Sequence, residues 1–142
     1  MRLHASVLVF TGFALMLGAS RANAQPAPAL SQLRAEVSSS GYTLWDPVPV
    51  GGISTPHDHK GPTLIVRVFE TGYASSSSRI AQFNGTRMTL IRSDPQVNAS
   101  RQVTGCINYY RYDGSWTSGT FTYQATSLVY PYRTLSLRIY VR

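Results

Sequence analysis

The chain has 142 residues, one domain's worth on a prior of roughly 100–200 residues each, which leaves little room for a multidomain enzyme. Charged residues make up only 13% of it, against about 25% in an average soluble domain, and the formal net charge is +7. A single Cys excludes an internal disulfide framework and any multi-Cys zinc site.

Residues 1–24 read as a secretory signal: Arg2 supplies the charged start, residues 5–19 are uncharged, and Ala22-Asn23-Ala24 is a small-x-small cleavage site ahead of Gln25. The uncharged stretch falls short of the roughly 20 residues a membrane span needs, so none is expected. No Cys near the cut could carry a lipid, and the short signal fits a secreted or periplasmic bacterial protein. Cleavage would leave eleven basic residues against six acids, a net charge of +5. Ten of the eleven are Arg and only Lys60 is Lys, which favours forked contacts to carboxylate, phosphate or sulfate. They form no compact cluster. An evenly charged surface is the ordinary explanation, an anionic envelope polymer the functional one, and nucleic acid the least favoured partner.

Residues 25–30 form a Pro/Ala leader expected to be flexible, and residues 31–142 one domain. Leu33, Ala35 and Val37 alternate with polar neighbours as in a strand. Residues 44–62 carry four Pro and three Gly, a composition that predicts a long irregular connection. Thr63 to Thr71 sets Leu64, Val66 and Val68 against Ile65, Arg67 and Phe69, a strand with one buried and one partly covered face, and so a central one. Asn84-Gly85 supplies the positive φ angles of a two-residue hairpin between residues 79–83 and 86–92. Cys106 lies in an apolar run and reads as a small buried hydrophobe. Asp113-Gly114 offers a second hairpin turn, between residues 102–112 and 115–126, implying a meander. At the end Leu135, Leu137, Ile139 and Val141 face one way, and Ser136, Arg138, Tyr140 and Arg142 the other. About seven or eight short strands predict an all-β antiparallel sandwich, with a partly closed β-barrel as the alternative.

The sharpest chemical feature is Thr55-Pro56-His57-Asp58-His59-Lys60-Gly61, which holds both histidines found beyond the signal. In an extended segment His57 and His59 share a side, so they could hold zinc or copper with a third ligand such as Asp46 or Glu70. Alternatively His57, His59 and Lys60 could serve as base, acid and phosphate clamp. The ordinary explanation is a polar turn in which Asp58 caps the backbone. No G-x-S-x-G elbow, H-E-x-x-H, P-loop or paired-carboxylate motif is present. The aromatics point elsewhere. Tyr109, Tyr110, Tyr112 and Trp116 flank the second turn, Tyr130 and Tyr132 bracket Pro131, and alternation lets at most half of the Tyr109–Tyr110 run face the core. The rest, with Arg111 or Arg138 nearby, would make a platform of rings and forked donors.

The start Pro28-Ala29-Leu30-Ser31, the histidine loop and the run Gly119-Thr120-Phe121-Thr122-Tyr123-Gln124 onward resemble the small secreted bacterial proteins of the YolA type, a family of uncharacterised function. The resemblance implies secretion and one compact domain and transfers no catalytic residue. The leading expectation is a monomeric, secreted, non-enzymatic protein that binds an extracellular or cell-envelope ligand, an anionic glycan or a protein, through Tyr110, Tyr112, Trp116, Arg138 and Tyr140. No cofactor is expected on that reading. The rival is a small secreted hydrolase or toxin, metal-dependent if His57 and His59 ligate.

Overall fold

A computed structural model describes residues 26–142; the expected signal segment and Gln25 lie outside the described residues. Nine strands form among the described residues, with no α-helix and only a 3-10 turn at Ser76–Ser78. They are β1 (Gln32–Ser39), β2 (Tyr42–Pro47), β3 (Thr63–Thr71), β4 (Ile80–Phe83), β5 (Thr86–Arg87), β6 (Thr89–Val97), β7 (Val103–Asp113), β8 (Gly119–Thr126) and β9 (Thr134–Val141). Two antiparallel sheets, ordered β2-β1-β3-β7-β6 and β5-β4-β8-β9, face each other as a sandwich and do not close into a barrel.

Period-two patterning sets the inner faces. Val37, Val66 and Tyr110 lie side by side across β1, β3 and β7, while Phe83, Phe121 and Ile139 do the same across β4, β8 and β9. These six are buried and meet between the sheets. β3 is central, as its pattern predicts, bonded to β1 on one side and β7 on the other.

Asn84 at φ 48° and Gly85 at φ 80° make the expected hairpin between β4 and β5. The chain then crosses at the buried Met88 to the opposite sheet, where β6 becomes an edge strand. The second expected hairpin does not form. β7 pairs with β3 and β6, whereas β8 pairs with β4 and β9, so residues 114–118 bridge the sheets and the topology is not a meander. A turn dipeptide reports local backbone angles and not the sheet the next strand joins. Part of the expected irregular connection is also regular, because Tyr42–Pro47 is an edge strand, the position where a strand tolerates Pro. The leader is held from Pro28 onward. Its carbonyl accepts the Tyr73 N–H at 2.9 Å, Ala29 bridges to Tyr73, and Leu30 is buried. Gly72, at φ 94°, lets that segment pass, since a Cβ there would overlap the Ala29 carbonyl. Cys106 is half-buried instead of sealed in the core, its Sγ 3.0 Å from the Ser93 hydroxyl. No helix among the described residues is long and apolar enough to cross a membrane.

Candidate functional site

The histidine loop is stitched to the end of β9. The Thr55 N–H donates to the Tyr140 carbonyl at 2.9 Å, the Arg142 Nε donates to the Thr55 carbonyl at 3.0 Å, and the His59 N–H donates to the Arg142 carbonyl. Thr55 and His59 are consequently buried, which corrects the expectation of a simple polar tip; Asp58 caps no turn and stands exposed, 3.8 Å from the Arg142 guanidinium.

Both histidines do converge, and they converge on Asp46, whose carboxylate is buried at the end of β2. Asp46 accepts from the His57 N–H at 2.9 Å, from His57 Nδ1 at 2.9 Å and from His59 Nε2 at 3.2 Å. Burial raises the Asp46 pKa, but these hydrogen bonds outweigh it and hold the carboxyl below its ordinary range. The Ser39 hydroxyl meets His59 Nδ1 at 3.3 Å, so both His59 nitrogens are engaged and neither has a lone pair left for a metal. Among the described residues no group of three His, Cys, Asp or Glu side chains is arranged to hold a metal ion. His57 differs. Its ring is exposed and stacks on Tyr42 at 5.0 Å, and while Nδ1 bonds to Asp46 its Nε2 has no hydrogen-bond partner among the described residues.

The expected binding residues separate. Tyr110 and Trp116 are buried, and Tyr112 packs on Phe83 with ring centroids 5.1 Å apart, so these three build the core instead of an exposed platform. The register decides this: Tyr110 and Tyr112 lie opposite Val66 and Leu64, both inward-facing. Arg138 and Tyr140 do reach solvent, on the outer face of the four-stranded sheet. Tyr140 also borders a cleft of about 480 Å³ with Asp58, Lys60, Thr117, Ser118 and Arg142.

A ring platform exists on the outer face of the five-stranded sheet, built from the neighbours of the expected residues. The Arg67 guanidinium lies 4.2 Å from the Trp45 ring and 5.4 Å from Phe69; Arg34 lies 4.3 Å from Phe69 and Arg92 5.3 Å from Tyr109. Trp45 meets Tyr109 edge to face at 6.1 Å. Arg67 is bonded to Glu36 and Arg92 to Asp94, whereas Arg34 makes no ion pair among the described residues. The signal for this face is the outward parity of Arg67 and Phe69 in β3; what the sequence lacks is the pairing of β7 with β3 and of β2 with β1, which brings Tyr109 and Trp45 to the same face. Also missing from the sequence reading was an ion pair between the sheets, where Arg79 grips the fully buried Glu70 at 2.7 Å.

Residues 25–141 match a family model described as "Domain of unknown function (DUF4879)". No curated protein and no solved structure matches the chain.

Proposed function

The chain belongs to the DUF4879 family, and from that premise we propose a secreted, non-enzymatic binding protein that recognises an extracellular or cell-envelope ligand, foremost an anionic glycan, through the outer face of its five-stranded sheet. The observation that carries this reading is the interleaving of Trp45, Phe69 and Tyr109 with Arg34, Arg67 and Arg92 on one solvent-facing surface. Flat rings stack on the C–H faces of sugars, and forked guanidiniums take carboxylate, sulfate or phosphate substituents. Each cation–π contact, about 0.5–1 kcal/mol at an exposed site, fixes a ring and its guanidinium before the ligand arrives. Arg34, lacking an acidic partner among the described residues, is the first anchor for an anion.

The test is calorimetric titration of the secreted protein, whose first residue is expected to be Gln25, with lipoteichoic acid, lipopolysaccharide and peptidoglycan fragments. Trp45→Ala should weaken binding by about 2 kcal/mol, as truncation of a central aromatic anchor does. Unchanged affinity in Trp45→Ala and Tyr109→Ala, or no binding to any of the three, refutes the reading.

One observation favours a second reading, a small hydrolase: the buried Asp46 holds Nδ1 of the exposed His57 ring and leaves Nε2 without a partner among the described residues, the arrangement a general base requires. Hydrolysis of activated esters would then vanish in His57→Gln with the fold intact. Equal rates in both proteins would remove it.

A further inference from the structure

One end of the sandwich is unlike the rest of the surface. Between β8 and β9 the run Leu128-Val129-Tyr130-Pro131-Tyr132-Arg133 leaves the sheet, and Leu128, Tyr130 and Tyr132 are 55%, 83% and 70% exposed. An apolar run this open would ordinarily fold back onto the core. Here the backbone prevents it. The Leu128 N–H donates to the Tyr73 carbonyl at 2.9 Å, the Ser127 N–H to the Arg133 carbonyl at 3.0 Å, the Ser127 hydroxyl to the Val129 carbonyl at 2.7 Å, and the Arg133 N–H to the Pro131 carbonyl at 2.7 Å. The projecting rings meet each other edge to face at 6.3 Å.

The turn between β6 and β7 lies at the same end, because the Tyr73 hydroxyl donates to the Val103 carbonyl there. It adds the exposed Val97 and Val103, with Arg101 between them in the chain. Arg101 and Arg133 are the charges of these two loops. Asp58 and Asp113 belong to the opposite end, where Gly41 bonds to Lys60 and Gly114 to Pro62, and so does Asp46, held by His57 and His59; Glu36 is bonded to Arg67 and Asp94 to Arg92 on the sheet face, and Glu70, near the aromatic end, is sealed in the core.

We propose that this end docks on an anionic lipid bilayer, with Leu128, Tyr130 and Tyr132 entering the interface and Arg101 and Arg133 meeting the headgroups. Tyr is suited to that boundary because its ring enters the apolar layer while its hydroxyl stays hydrated, and a basic rim without opposing acids gives the charge complementarity. The inference goes beyond the glycan reading. It concerns a different surface, and either can fail without the other.

The experiment is sedimentation of the secreted protein with vesicles of phosphatidylcholine containing phosphatidylglycerol, against phosphatidylcholine alone. The anionic vesicles should bind about 10- to 30-fold more strongly, the effect of two arginines near a charged surface, and raised salt should erase that difference. Leu128→Ser/Tyr130→Ser/Tyr132→Ser, confined to exposed side chains, should lose at least about tenfold in partitioning while keeping its unfolding midpoint. Trp45→Ala on the glycan face should partition as wild type. Sedimentation of the triple variant equal to wild type, or its loss in Trp45→Ala, overturns the proposal. So does a wild type that ignores both vesicles and forms dimers through this end that the triple variant lacks.

Discussion

A carboxylate shielded from water is stable only if its lone pairs are filled, and Asp46 fills them with three donors drawn from His57 and His59. Because these hydrogen bonds outweigh burial and lower its pKa beneath the ordinary 3.8, the folded state holds the proton less tightly than the unfolded chain does. That stabilisation is present above the unfolded value and is lost as pH falls through the lower folded value. Urea midpoints should therefore drop as pH goes from about 5 toward 3. Asp46→Asn should cost about 1–3 kcal/mol at neutral pH and flatten the acid limb. A variant whose acid limb parallels the wild type's would show that the dependence comes from other carboxylates. The two histidines should also separate: His57→Ala takes the Nδ1 donor from Asp46 but empties no buried space and leaves the backbone N–H bond, whereas His59→Ala strips both Asp46 and Ser39 of a partner and opens a buried hole, so it should destabilise more.

Strand β7 shows what alternation can and cannot decide. Its central residues read Tyr109, Tyr110, Arg111 and Tyr112, so both faces offer rings and the period alone does not say which is inside. The choice comes from β3, where Tyr110 lies opposite Val66 and Tyr109 opposite Arg67. Tyr110→Ala should thus destabilise by about 3–5 kcal/mol, like other large core aromatics, while Tyr109→Ala stays within about 1 kcal/mol and acts on ligand binding. Chemical unfolding of the two variants settles the assignment, and equal losses would contradict it. The same limit explains what else was legible. The last strand was readable because its polar and apolar residues alternate cleanly, and the β4–β5 hairpin because Asn84 and Gly85 adopt positive φ locally. Residues 114–118 look like a hairpin turn in the sequence because crossing between sheets leaves no local mark. At the histidine loop, the residue types and the candidate Asp46 were visible in the sequence; the burial of His59 was not, since it depends on the end of β9 arriving from 83 residues further along the chain.

Between the sheets the apolar core is bridged by one polar assembly. Glu70 from β3 is fully buried; Arg79, just before β4, reaches it with Nη2 at 2.7 Å and Nε at 3.1 and 3.2 Å, and the Tyr123 hydroxyl of β8 donates to it at 2.5 Å. Burial would lower the Arg79 pKa, but the hydrogen bonds and charge of Glu70 more than compensate and keep the guanidinium charged. Burial and the same carboxylate raise the Tyr123 pKa, so its hydroxyl stays a donor. Desolvating such a pair costs much of what its attraction returns, and breaking it is worse than removing it. Glu70→Gln should therefore destabilise by about 3–5 kcal/mol, because Arg79 is left charged, mostly buried and without its counter-ion. The Tyr110 hydroxyl donates in turn to that of Tyr123, so Glu70→Leu/Arg79→Met/Tyr110→Phe/Tyr123→Phe removes every polar member while keeping the space filled, and should be markedly more stable than Glu70→Gln. The deciding measurement is a double-mutant cycle at positions 70 and 79 by urea unfolding, in which a coupling well above the roughly 0.5 kcal/mol of independent sites is expected. Additive losses within that margin would mean that the two sheets are held together by the apolar core alone.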